Sequence, residues 1–131
     1  MTSIAQPWIG SQWAPFGGAA ADSIDPSTGE VLGQFADADV GVAEAAIAAA
    51  RQAFIYSDWA HAPRLRAAVM LEFADRVERR SEELAMLLAR ETGKLLKPAQ
   101  AELAGTISEI RFYAGLARTI FGRTTEVEPG A

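Results

Sequence analysis

Few residues in this chain could do chemistry, and their spacing narrows what that chemistry could be. The 131 residues include no cysteine. Disulfides, thiolate metal sites and a cysteine nucleophile within this chain are therefore excluded. His61 is the only histidine, so neither a two-histidine metal site nor a Ser-His-Asp triad with a spare histidine can be built. It lies close to Trp59 and just before Pro63, which points to a loop and away from catalysis. Glu102 and Glu109 stand seven residues apart, two turns along one face of a helix. That spacing could hold an acid pair for proton transfer. It equally describes a solvated face, and the many carboxylates on wet helix faces here favour that reading. Gly17-Gly18 lacks phosphate-loop spacing and precedes no helix start, and Glu91-Thr92-Gly93-Lys94 has a Gly-Lys pair without the spaced glycines. Trp8, Trp13 and Trp59 fall in loops or hairpins, where they anchor the edge of a core more often than they stack on a base.

Half the residues are hydrophobic and 22% are charged, the composition of a globular chain rather than a disordered one. A single domain is the natural expectation at this length. The formal net charge of −5 is uneven: residues 1–60 carry one Arg and seven acids, while residues 61–131 carry eleven bases and ten acids. No basic patch results, so a nucleic-acid partner is not expected. The N-terminus shows no basic start followed by an apolar run. No stretch approaches the ~20 apolar residues of a membrane span. A cytoplasmic location without membrane contact is the expectation.

The elements that must position these residues fall into two groups. Residues 7–35 read as β-hairpins, with short strands at Trp8-Ile9, Gln12-Trp13, Ser23-Ile24 and Val31–Phe35. Gly10-Ser11 and Asp25-Pro26-Ser27-Thr28-Gly29 supply the turns, and residues 17–21 read as a flexible connector. In the second turn Pro26 fixes its φ, Asp25 and Ser27 can bond nearby backbone, and Gly29 can take positive φ.

Residues 39–122 read as helices. Asp39 is a plausible N-cap, and Ala43, Ile47, Ala50 and Phe54 form an apolar stripe. Pro63 suits the first turn of a second helix, whose Leu65, Val69, Phe73 and Val77 recur every four residues. Glu72–Arg76 and Asp75–Arg79 are spaced as i,i+4 ion pairs. Ser81 is expected to cap a third helix and Gly93 to stop it. Pro98 suits the opening of a fourth, with a stripe through Ala99, Leu103, Ile107, Ile110, Ala114, Ala117 and Phe121 and an end at Gly122. Ala101, Ala104, Gly105 and Gly115 are small enough for a neighbour or a ligand to approach closely. Residues 123–131 read as the start of a strand that needs a partner. From the residues alone the chain is α+β, mostly helical, without a complete active site.

In this order, several segments carry a family resemblance: Trp8-Ile9-Gly10 and Trp13; Asp25 to Leu32; Ala48 to Phe54 and Trp59; Leu84 to Lys94; and Arg111-Phe112-Tyr113-Ala114-Gly115-Leu116-Ala117. Together they resemble the N-terminal segment of the NAD(P)-dependent aldehyde dehydrogenase superfamily, over about residues 7 to 129. The resemblance implies an incomplete part of the α/β cofactor domain of such a fold. It implies oxidation of an aldehyde to a carboxylate: a cysteine thiolate attacks, hydride passes to NAD or NADP, and a glutamate activates water. The family's cysteine, glutamate and cofactor-contacting segments lie beyond this stretch, so the chain is expected to be an inactive fragment that binds no cofactor alone. Its implied partners are the catalytic remainder, an aldehyde substrate and further copies in a homo-oligomer. Ala101 and Gly105 match positions that line the substrate tunnel. Ile24, through its carbonyl, and Glu91 match a monovalent-cation site. An exposed face that normally covers the cofactor sheet implies weak stability or self-association. Two alternatives remain: a non-enzymatic helical interaction module, and a half-enzyme that works with a second chain.

Overall fold

The computed structural model describes residues 4–14, 18–119 and 122. Two antiparallel hairpins open the chain. Strands β1 (Trp8–Ile9) and β2 (Gln12–Trp13) pair Trp8 with Trp13 and Ile9 with Gln12. Gly10 (φ 59°) and Ser11 (φ 67°) both turn through the left-handed region, the signature of a two-residue type I′ loop. The two indoles meet edge to face, their ring centres 4.8 Å apart.

Strands β3 (Ala20–Ile24) and β4 (Val31–Ala36) run in register from Ala20–Ala36 to Ser23–Gly33, then shift at Ile24, which faces Val31. Ala5 adds a short parallel bridge to Phe35. Strand β3 starts earlier than the sequence suggests: Ala20 and Ala21 belong to the ladder and not to a flexible connector. β4 supplies the partner row that fixes them.

Helix α1 (Val40–Tyr56) is capped by Asp39, whose carboxylate accepts from the Val42 amide. Helix α2 (Pro63–Arg79) begins on its proline. Helix α3 (Ser81–Thr92) follows after Arg80 alone, and Gly93 ends it with φ 71°. Helix α4 (Leu96–Leu116) is the longest at 21 residues. Ser81 is its helix's first residue and makes no cap bond, so the expected Ser81 cap is not formed. With only Arg80 between the two helices, no extended N-cap residue fits there. The fourth helix ends at Leu116 rather than Gly122: Arg118 and Thr119 amides bond carbonyls three residues back, tightening the last turn. Phe121 and the strand expected at 123–131 lie outside the described residues.

α4 packs against both α2 and α3. All but one of the buried apolar residues on these helices are alanine: Ala67 and Ala74 on α2, Ala85 on α3, and Ala99 and Ala114 on α4, with Ile107 the exception. Small side chains let the helices approach closely, and the expected α4 stripe is this buried face. α1 differs. None of its residues is buried, and Ile47 and Phe54, two members of its expected stripe, are 70% and 55% exposed. Its 3.6-residue periodicity is real, but no described element covers that face. The observed architecture is α+β and mostly helical, with N-terminal hairpins.

Candidate functional site

Three places bring together residues that the sequence singles out. The first is the outer face of α4. Ala101 and Gly105 lie one turn apart and are both exposed. A methyl group built on Gly105 would meet nothing within 4 Å. Among the described residues, close packing falls instead on Ala99 and Ala114, on the opposite face.

The second place is where the β3–β4 turn meets the end of α3. Ser23 Oγ donates to Glu91 Oε1 at 3.1 Å, which sets Glu91 beside the strand that contains Ile24. The Ile24 side chain is half exposed, so only its backbone carbonyl has the chemistry of a cation ligand. Asp25 follows and is 6% exposed. Its Oδ1 accepts from the Ser27 amide at 2.9 Å and the Ser27 hydroxyl at 2.5 Å. The hydroxyl and amide of Ser27 hold the Asp25 carboxyl below the usual carboxylate range, burial opposes them, and the Arg90 guanidinium adds a smaller pull downward. The described residues hold no group of three Asp, Glu, His or Cys able to bind a metal ion.

The third place is a groove of about 470 Å³ between α2, α3 and α4, floored by Leu103, Ala104 and Ile107. Arg111 stands at its edge. Its Nη2 donates to Glu78 at 2.6 Å and Asp75 at 2.8 Å, and its Nη1 reaches Glu78 at 3.3 Å. Hydrogen bonding to Arg111 lowers the Glu78 pKa, and the two carboxylates raise that of Arg111. Asp75 is thus paired across helices and not with Arg79 as its spacing suggests; Arg79 approaches Glu72 at 3.7 Å instead. Glu72–Arg76 does form, at 2.7 Å. Sequence reasoning missed the Arg111 clamp because its partners lie 33 and 36 residues away. An arginine flanked by apolar stripe residues was the one available signal.

Glu102 is bound to Lys94 at 2.5 Å, so no Glu102–Glu109 acid pair is assembled. His61 is exposed in a turn. The glycines with positive φ are Gly10 and Gly29 in hairpin turns and Gly93 at a helix C-terminus, whereas a phosphate needs glycines ahead of a helix N-terminus.

Residues 13–131 match the sequence profile described as the aldehyde dehydrogenase family. The chain belongs to the aldehyde dehydrogenase family. This aldehyde dehydrogenase segment is 38% identical, over 109 residues, to a mitochondrial benzaldehyde dehydrogenase of Antirrhinum majus, covering 82% of this chain and 20% of that one. It is 35% identical over 119 residues to a 3,6-anhydro-alpha-L-galactose dehydrogenase of a Vibrio species, covering 89% and 24%. Among solved structures it superposes on the NAD⁺ complex of a Bacillus cereus aldehyde dehydrogenase with a TM-score of 0.89 at 30% identity, over 97% of this chain and 26% of that one. The NAD-dependent aldehyde dehydrogenase of Sinorhizobium meliloti gives 0.86 at 29%, over 94% and 25%. The chain therefore spans about a quarter of the length of the relatives it matches. Hairpins and helices alike correspond to part of the aldehyde dehydrogenase fold.

Proposed function

We propose that this chain is the N-terminal part of an NAD(P)-dependent aldehyde dehydrogenase and that it does not turn over aldehyde alone. The observation that carries this reading is the absence of cysteine from a chain of which 97% superposes on about a quarter of such an enzyme. The cysteine nucleophile of the family's chemistry has no counterpart among these residues. The segment's contribution is then architectural. It presents Ala101 and Gly105 on an open helix face that suits the wall of a roomy substrate tunnel, and a bulky or aromatic aldehyde fits that reading. Glu91 and the Ile24 carbonyl supply a monovalent-cation position; the Ser23–Glu91 hydrogen bond supports it by holding the acid at that strand.

The surface supports the same conclusion. Large apolar side chains stand exposed on α1 and α4, among them Ile47, Phe54 and Phe112. The rest of an aldehyde dehydrogenase fold is the occupant that would cover them. The test is direct: mix the chain with NAD or NADP and a panel of aldehydes and follow the reduced cofactor. No turnover above background is expected. Robust turnover by the chain alone overturns the reading, and turnover only on adding a complementary chain identifies a split enzyme.

A further inference from the structure

The β3–β4 hairpin touches the helices at one end. Among the described residues neither strand packs broadly on any helix. A cleft of about 300 Å³ separates Leu32 and Phe35 on β4 from Leu87 and Glu91 on α3. Contact is made at the turn. A methyl group on Gly93 would lie 2.9 Å from Pro26 Cγ, so the proline ring rests directly on the backbone that closes α3. Gly93 also needs its φ of 71° to end the helix, a conformation other residues enter at a cost. Arg90 Nε lies 3.7 Å from Asp25 Oδ2, and Ser23 bonds Glu91. Three contacts, from Ser23, Asp25 and Pro26, thus converge on Arg90, Glu91 and Gly93 at the end of α3.

The turn itself is rigid without α3. The Gly29 and Thr28 amides donate to the Asp25 carbonyl at 2.8 and 3.3 Å, and the Asp25 amide donates to the Glu30 carbonyl at 2.9 Å. Ser27 satisfies Asp25 Oδ1 twice. Asp25 and Glu91 bring two carboxylates to the negative end of the α3 dipole, and Arg90 is the only basic residue of that last turn. An exposed guanidinium at this distance contributes little alone. The proline–glycine contact therefore dominates, and Arg90 chiefly offsets carboxylate repulsion.

We propose that Pro26 and Gly93, with Arg90 opposite Asp25, form a latch that sets the position of the β3–β4 hairpin against the helices. The hairpin and the helical unit are each built without it; only their relation depends on it. By fixing the turn, the latch also fixes Ser23 and hence the direction of the Glu91 carboxylate. This inference does not depend on any activity of the chain.

With no native cysteine, Ala20→Cys and Glu82→Cys can carry two nitroxide labels, and pulsed electron resonance then reads the distance from the far end of the hairpin to α3. Diluting labelled into unlabelled chain removes intermolecular distances. The parent should give one narrow distribution. Gly93→Ala should broaden it, and so should Pro26→Ala combined with Arg90→Ala, which leaves the helix backbone unstrained. Helical circular dichroism and exchange protection of the Gly29 amide should be unchanged in both. Gly33→Ala, which meets nothing within 4 Å, should leave the distribution narrow. Narrow distributions in both latch variants overturn the proposal. So does loss of Gly29 protection in both, because the hairpin would then need the contact in order to fold.

Discussion

At the scale of single residues, Asp25 is where a short-range rule becomes a tertiary one. Its turn chemistry is local and readable: an Asp followed by Pro and, four residues on, Gly. Its burial against α3 is not readable, since Arg90 and Gly93 are more than 60 positions away. The Asp25 pKa is lowered in the folded chain, first by Ser27. The stability it confers is therefore fully present above the ordinary carboxylate pKa of about 3.9, and is lost as pH falls through the lower folded value. Glu78 and Glu83, lowered by Arg111 and Arg80, act in the same window. Asp25→Asn keeps an oxygen for Ser27 but does not titrate, so its melting temperature should fall less steeply below about pH 4 than that of the parent. Parallel acid limbs would show that Asp25 carries no such share. Ser11 offers a second test. It holds φ 67° where a type I′ loop favours glycine. Ser11→Gly should stabilise the hairpin by roughly 0.5 kcal/mol, read as increased exchange protection of the Ala14 amide, which donates to the Pro7 carbonyl.

At the scale of elements, α4 has two faces with opposite demands. Ala114 is fully buried, so Ala114→Leu forces extra volume into a close contact and should cost about 1–3 kcal/mol. Gly105 faces open space, so Gly105→Ala should add up to about 1 kcal/mol of helix stability. Thermal melts of the two variants should move in opposite directions; a destabilising Gly105→Ala would reveal a packed neighbour there. The sequence shows both faces as small residues and cannot assign them, because alanine and glycine suit close packing and open space alike. Helix positions were legible for a different reason. Asp39, Pro63 and Gly93 mark boundaries through local backbone chemistry, and the structure uses each as expected. Arg80 and Leu116 were not legible as boundaries. The first is set by α2 running almost directly into α3, the second by a last turn that tightens without a glycine. Of the candidate site, Glu91 bonds Ser23 on β3, a contact 68 residues apart that no local pattern reveals, and the Arg111 clamp emerges only when α2 and α4 come together.

At the scale of the molecule, the chain carries more apolar surface than it can bury. Val40, Ile47, Phe54, Ile55 and Tyr56 on α1 are all exposed, as are Phe112 and Tyr113 on α4. The described residues leave no large side chain fully buried. A stripe as regular as that of α1 states that a face will be covered, and says nothing of what covers it. Left uncovered, such a surface drives association of like chains. The isolated chain should therefore sediment as a concentration-dependent mixture and bind an apolar dye. Replacing Ile47 and Phe54 with Lys should reduce both effects without lowering the melting temperature, since neither side chain is buried. If the pair instead destabilises the chain, α1 packs on its own helices in solution. A dye-silent monomer with a cooperative melt would mean that the chain closes its own core, and the need for an aldehyde dehydrogenase remainder would lose its physical support.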